Sequence, residues 1–295
     1  MTTRQIHNVG IIGKYNDSSA GELLSTLNRF FVDRQINVLL DEGTAKNIPE
    51  LDIETVDRES LGAQSDIIVV VGGDGTLLNA ARTLANYSVP LVGINRGRLG
   101  FLTDISPDML EVCLDDILQG KFKEEERFLL HASILRNGEH ISESYAFNDV
   151  VMHKWDIARM IEIDTYIDGA FVHTIRADGL IVSTPTGSTA YALSGGGPIL
   201  QSSLDAVVLV PICPHTMSNR PIVVDANSRI EVVVSSHSQA QVTCDGQINL
   251  GLVAGDRVVI QKHPNAVRLL HPATYDYFDI LRAKLNWGGR MEDQH

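Results

Sequence analysis

The sequence predicts an α/β N-terminal domain with a parallel, Rossmann-like sheet over residues 1–123. A β-rich C-terminal domain follows over 124–270, and a helix within 275–295 packs back on the first domain. Three observations carry this. Up to about Lys123, apolar strand-like runs alternate with helical periodicity, the order that winds a parallel sheet with helices on its faces. Beyond Lys123 the helical periodicity stops, and Asn137-Gly138, Asp168-Gly169 and Asp245-Gly246 stand between strand-like runs as tight hairpin turns do. Near the end, Tyr277, Phe278, Leu281 and Leu285 return to helical spacing.

Taken in order, His7 to Ile12 reads as the first strand, and Ser19-Ala20-Gly21-Glu22 has the spacing of a capping box. The helix it opens carries Leu23, Leu27, Phe30 and Phe31 on one face, and Ile36 to Leu40 reads as the second strand. Asp66 to Val71 is a buried-strand pattern that runs straight into Gly72-Gly73-Asp74-Gly75-Thr76. A helix to about Tyr87 follows, with Leu77, Leu78, Ala81, Leu84 and Ala85 inward, then a strand at Pro90 to Ile94. Ser106-Pro107 starts another helix, with Leu110, Leu114, Ile117 and Leu118 inward, and Gly120 closes it. In the second domain, Phe128 to Arg136, Ile141 to His153, Ile161 to Ile167, Ala170 to Ile175, Ala206 to Val210, Ile230 to Val234, Gln241 to Cys244 and Asp256 to Ile260 read as strands.

Composition narrows the chemistry. With 295 residues, 44% apolar and 21% charged, the chain has core enough for one large or two medium domains. A net charge of −13 argues against a nucleic-acid or anionic-membrane surface, so any phosphate must be held by local features. Cys113, Cys213 and Cys244 form no CxxC pair, which fits a reducing compartment rather than a disulfide framework or zinc site. The first residues lack the apolar core of a signal peptide, and the apolar run Ala206 to Cys213 is too short to span a bilayer, so a cytoplasmic location is expected.

Four stretches bear chemistry. In Gly72-Gly73-Asp74-Gly75, glycines let a ligand approach backbone N–H groups, and the following helix N-terminus adds partial positive charge: a place for phosphate. Asp74 in its midst serves as a helix cap, or holds a metal ion, or takes a proton from an attacking hydroxyl. It lies at the carboxyl end of a strand, as does the loop Asn95 to Asp104, where Arg96 and Arg98 either meet phosphates or stay as solvated charges. The run Asp178 to Pro198 brings a strand into a dense set of hydroxyls and small residues, suited to surrounding a polar ligand or to a flexible linker, with Arg176 and Asp178 framing one side. Asn148-Asp149 interrupts an apolar strand and suits a ribose diol, or marks a bulge or turn. Cys244-Asp245-Gly246-Gln247 is by itself a hairpin turn. There is no G-x-x-x-x-G-K-[ST], H-E-x-x-H or G-x-S-x-G, and the glycine turn lacks the third glycine of the dinucleotide fingerprint.

Together Gly72-Gly73-Asp74-Gly75-Thr76, Gly97-x-Leu99-Gly100-Phe101-Leu102-Thr103-Asp104, Asn148-Asp149 and Asp178 through Pro198 resemble the NAD kinase family, in that family's order and over nearly the whole chain. The glycine-Asp-glycine block alone also resembles diacylglycerol and sugar kinases. The resemblance implies ATP-dependent phosphorylation of the 2′-hydroxyl of the adenosine ribose of NAD, giving NADP. It further implies a divalent metal, usually Mg²⁺, a homodimer or homotetramer, and an active site between the two domains. It implies that Asp74 is the proton acceptor with Gly75 lining the same contact, and that Asn148 and Asp149 hold the NAD ribose. Asp149 stands where the family often has Glu. Asp178, the run Thr189, Ala190, Tyr191, Ala192, Leu193 and Ser194, and Gln247 match dinucleotide contacts, as do Arg159 and Arg176 at positions that vary in type. Phe101 and Leu102 match apolar neighbours of the adenine. The rival readings are a lipid or sugar kinase of the same superfold and a non-catalytic NAD(P)-sensing module.

Overall fold

The computed structural model describes residues 5–14, 21–46, 48, 52–155, 159–216, 218–234 and 240–288. The proposed capping box at Ser19 to Glu22 begins outside the described residues. The chain divides into two compact units, Met1–Glu126 with Val267–His295, and Arg127–Ala266.

In the first unit, strands β1 (Asn8–Gly13), β2 (Asn37–Asp41), β3 (Glu54–Val56), β4 (Ile67–Val71) and β5 (Leu91–Ile94) pair in parallel in the order β5-β4-β1-β2-β3. The helices are α1 (Gly21–Val32), α2 (Glu42–Ala45), α3 (Arg58–Gln64), α4 (Asp74–Leu84), α5 (Leu110–Leu118) and α7 (Tyr277–Leu285). The buried face of α1 holds Leu24, Leu27, Phe30 and Phe31, and that of α4 includes Leu77, Leu78, Ala81 and Leu84. Every residue of β4 is buried, because parallel strands with helices on both faces have no polar side.

Three elements carry no strong sequence signal: α2, β3 and α3 are four, three and seven residues long. The two helices are started by Asp41 and Asp57, whose carboxylates accept the amides of Thr44 and Ser60, rather than by apolar periodicity. Helix α7 corrects an expected face. Ile280 and Leu281 are its buried residues, whereas Phe278, at the first turn beside the capping Asp276, is half exposed.

Antiparallel pairing dominates the second unit; its last strand runs on into the first, where Leu269 pairs in parallel with Leu91 of β5. Its strands are β6 (Phe122–Arg136), β7 (Glu139–Ala146), β8 (Asp149–Lys154), β9 (Ile161–Ile167), β10 (Ala170–Ala177), β11 (Gly179–Ser183), β12 (Ala206–Ile212), β13 (Ile222–Asp225), β14 (Ile230–Val234), β15 (Ala240–Cys244), β16 (Ile248–Leu252) and β17 (Arg257–Pro272), of which β6 and β17 also run into the first unit. One sheet has the order β13-β12-β11-β8-β15-β16; β10-β9-β14-β17 and the hairpin β6-β7 form the other. The hairpin turns at Asn137, Asp168 and Asp245 adopt positive φ, each followed by a glycine with positive φ, as their Asx-Gly sequences require. The apolar run from Ile141 to His153, expected as one strand, breaks at Phe147-Asn148, where the chain leaves β7 of one sheet and enters β8 of the other. Leu130, Ile163, Met152, Val182, Leu209 and Val242 lie in the core of this unit.

Candidate functional site

In the first unit the site begins where β4 ends. Gly73 is the N-cap of α4, so Asp74 is the first helical residue and its carboxylate is not spent on capping. It reaches the loop after β5 instead. Oδ2 accepts the amide of Phe101 at 2.9 Å, and Oδ1 accepts the amides of Leu102 at 2.9 Å and Thr103 at 3.2 Å, with the Thr103 hydroxyl at 3.3 Å. Three consecutive amides thus fix one half-buried carboxylate. Gly100 makes this approach possible: a Cβ there would stand 2.2 Å from Asp74 Oδ1. Gly73 and Gly75 are exposed, and no atom lies within 4 Å of a Cβ built on Gly73. Arg96 and Arg98 are exposed; Phe101 is half buried under the Lys284 ammonium, and Leu102 is buried.

In the second unit a cavity of about 550 Å³ opens beside β8, β12 and β15. Asn148, Asp149, Asp178, Ala190 and Tyr191 line it, together with Val151, His153, Lys154, Ile212, Thr243, Asp245 and Gly246. Asp245 repeats the device of Asp74. Its Oδ2 accepts the amide of Phe147 at 3.0 Å, and Oδ1 accepts those of Asn148 at 2.7 Å and Asp149 at 3.2 Å. Asp149 is 4% exposed, and burial first, then the charge of Asp245, raise its pKa to about 7. Lys154 Nζ lies 2.6 Å from Asp178 Oδ1, and the Gln241 side-chain nitrogen lies 2.9 Å from His153 Nε2. With Asp149, Asp178 and Asp245 beside one ammonium, the described lining is rich in oxygen acceptors that suit hydroxyls and amide N–H groups.

The hydroxyl-rich run behaves differently from its sequence reading. Ser183, Thr184, Thr186 and Ser188 are buried, and their hydroxyls serve the scaffold. Thr184 Oγ1 donates to Phe147 O at 2.7 Å, Ser188 Oγ donates to Pro185 O at 2.7 Å, and Thr186 Oγ1 accepts from Arg127. Gly187 lets this run press on the bend, since a Cβ there would stand 2.2 Å from Asn148 O. The run therefore positions Asn148 and Asp149 rather than offering hydroxyls to a ligand. Within it Ala190 and Tyr191 face the cavity, Ala192 is buried beneath, and Thr189, Leu193 and Ser194 are not among the lining residues. Arg159 and Arg176 are exposed and do not line it. The chain bends at Asp178, so Arg176 on β10 belongs to the other sheet. Gln247 is exposed beside the lining Gly246.

Sequence reasoning missed Asp245, Lys154, His153 and Thr243. The D-G turn hid Asp245, because a hairpin alone explains that dipeptide. Lys154 and Asp178 meet only through the pairing of β8 with β11, in which His153 opposes Gly179.

Comparison with known proteins decides the family. Residues 9–122 match the model of the ATP-NAD kinase N-terminal domain, and residues 147–271 match that of the ATP-NAD kinase C-terminal domain. The chain belongs to the ATP-NAD kinase family. It is therefore a kinase, built on the mixed α/β and β-rich plan of that family. NAD kinases of Pseudomonas syringae pv. syringae and Pseudomonas putida are 50% and 49% identical over 289 residues, covering 97% of this chain and 98% of each relative. The structure of an NAD kinase from Archaeoglobus fulgidus in complex with ATP superposes with a TM-score of 0.75 at 28% identity, covering 96% of this chain and 100% of that one. The yeast NADH kinase complexed with NADH shares the fold, with a TM-score of 0.87 at 24% identity, covering 99% of this chain and 91% of that one.

Proposed function

We propose that this kinase transfers the γ-phosphoryl group of ATP to the 2′-hydroxyl of the adenosine ribose of NAD, giving NADP. The observation that carries the reading is the donor set of the cavity: carboxylates and an amide suit a ribose diol and a cationic nicotinamide far better than a triphosphate. Asn148 and Asp149 are the ribose ligands in this reading, with Asp178 and the Ala190-Tyr191 segment as further dinucleotide contacts. Arg159, Arg176, Thr189, Ala192, Leu193, Ser194 and Gln247 rest on the family resemblance alone.

Asp74 is the proton acceptor. The 2′-hydroxyl becomes a competent nucleophile as its proton passes to the carboxylate, and a positioned base is worth roughly 10²–10⁴-fold. The amides of Phe101, Leu102 and Thr103 hold the carboxylate in one orientation, and Oδ2, with a single amide on it, offers the accepting lone pair. The exposed turn at Gly73 and Gly75, at the N-terminus of α4, presents amide dipoles to phosphoryl oxygens.

Among the described residues no three His, Cys, Asp or Glu side chains stand together as a metal site, so the donor set does not fit a resident metal. It fits a Mg²⁺ that enters on the triphosphate, which needs only one or two protein carboxylates. The reading includes a homodimer or homotetramer in the cytoplasm. No helix among the described residues is long and apolar enough to cross a membrane, and the three cysteines are free.

The test is NADP formation by the purified chain with NAD, ATP and Mg²⁺, read by an NADP-specific dehydrogenase. Labelled ATP with diacylglycerol or sugar phosphates runs in parallel. NADP as product supports the reading. Label in a lipid or sugar, or NAD bound with no NADP formed, overturns it in favour of the related kinase or the sensing module.

A further inference from the structure

Away from the cavity, the first unit buries an ionisable cluster around His271. The side chains of His271 and Asp104 are 2% and 4% exposed, with Nδ1 of the ring 3.0 Å from Asp104 Oδ2. On its other side Nε2 lies 3.5 Å from Glu125 Oε2, and the ring stacks on Tyr275 with centroids 4.0 Å apart at 13°. Cys113 is also close to Asp104, its thiol pKa raised by burial and then by the charges of Asp104 and Asp116. Burial disfavours the charged imidazole, but the hydrogen bond to Asp104 and the charges of Asp104 and Glu125 outweigh it and raise its pKa above the usual histidine value.

What this cluster holds is the Asp74 loop. Asp104 directly follows Thr103, whose amide and hydroxyl both reach Asp74. Asp104 Oδ1 has no hydrogen-bond partner among the described residues, so the Nδ1 bond is the contact that anchors this buried side chain. A buried carboxylate deprived of such a partner must move or take a proton. We infer that His271 is a positioning residue for phosphoryl transfer: through Asp104 it fixes the amides of residues 101–103 that orient Asp74. This rests on the assignment of Asp74 as proton acceptor, and it adds a residue from the far end of the chain to that assignment.

The experiment compares wild type with His271→Phe, which keeps the stack and removes the donor, and His271→Asn, which restores a neutral donor near Nδ1. Amide hydrogen exchange over residues 100–105 reads the clamp without any activity. It is expected to speed up in His271→Phe and to return toward wild type in His271→Asn. In the NADP assay His271→Phe is expected to lose roughly ten- to a hundredfold in kcat, the scale of a small misplacement, with KM for NAD and ATP within about twofold. If His271→Phe does not fold, Asp104→Asn replaces it, with the same expected loss of kcat. Unchanged exchange with kcat within twofold of wild type, in whichever of these folds, overturns the inference. A wild type that makes no NADP instead sinks the functional reading and leaves the exchange result standing.

Discussion

Asp74 and Asp245 are the same device in two different settings. Each carboxylate gathers three consecutive amides with the same division, one on Oδ2 and two on Oδ1. Asp74 stands at the start of a helix on a glycine turn with open space over Gly73, and its partners form a loop at the end of a parallel strand. Asp245 stands in a hairpin turn, and its partners are the bend that carries the chain from β7 to β8. On the proposed function, the first orients a carboxylate for use on a substrate. The second orients a backbone, and through it Asn148 and Asp149. The same three-amide clamp thus says little about role; what surrounds the carboxylate says more.

Substitution separates the two. The largest effect is expected at Asp74: Asp74→Asn removes the proton acceptor while keeping the side chain's shape, and kcat falls by roughly a hundredfold or more. At Asp245 the loss is structural. Asp245→Ala leaves three amides without their acceptor and is expected to cost about 3 kcal/mol in urea unfolding, with weaker NAD binding as a consequence. A stability loss at Asp74→Asn as large as that, or a stable Asp245→Ala that binds NAD normally, would erase the contrast.

Asp149 sharpens it through pH. Its pKa is about 7 in the fold against 3.8 unfolded, so the folded state binds the extra proton and stability falls as pH rises from about 4 through 7. Asp149→Asn is expected to be more stable than wild type at pH 8, equal to it near pH 4, and weaker in NAD binding, by denaturant titration and calorimetry. His271 drifts the same way higher up: its raised pKa gives stability that is full below 6.5 and lost as pH rises through the folded value. The smallest effect is expected at Arg176→Ala, where an exposed side chain away from the cavity leaves NAD affinity within about twofold.

The legible parts of this molecule were those where local chemistry and final position coincide. The glycine turn, the all-apolar β4 and the Asx-Gly hairpins state their conformation within a few residues. The short elements α2, β3 and α3 are specified by single caps and by pairing to β2, which no periodicity reveals. The Ser/Thr-rich run reads as a ligand surface because hydroxyls count alike whether they face outward or inward, and only the fold turns Ser183 and Thr184 onto the backbone of Asn148. Lys154 and Asp178, and His271 and Asp104, are joined by strand register and by the return of the chain, so nothing near either partner in sequence announces the other.

The most direct test is a single turnover of Asp74→Asn, with NAD prebound and ATP saturating, so that only the chemical step is timed. The account predicts NADP formation slowed by roughly a hundredfold or more, with the NAD Kd measured on the same sample within about twofold of wild type. A turnover close to the wild-type rate, with NAD bound normally, would contradict it.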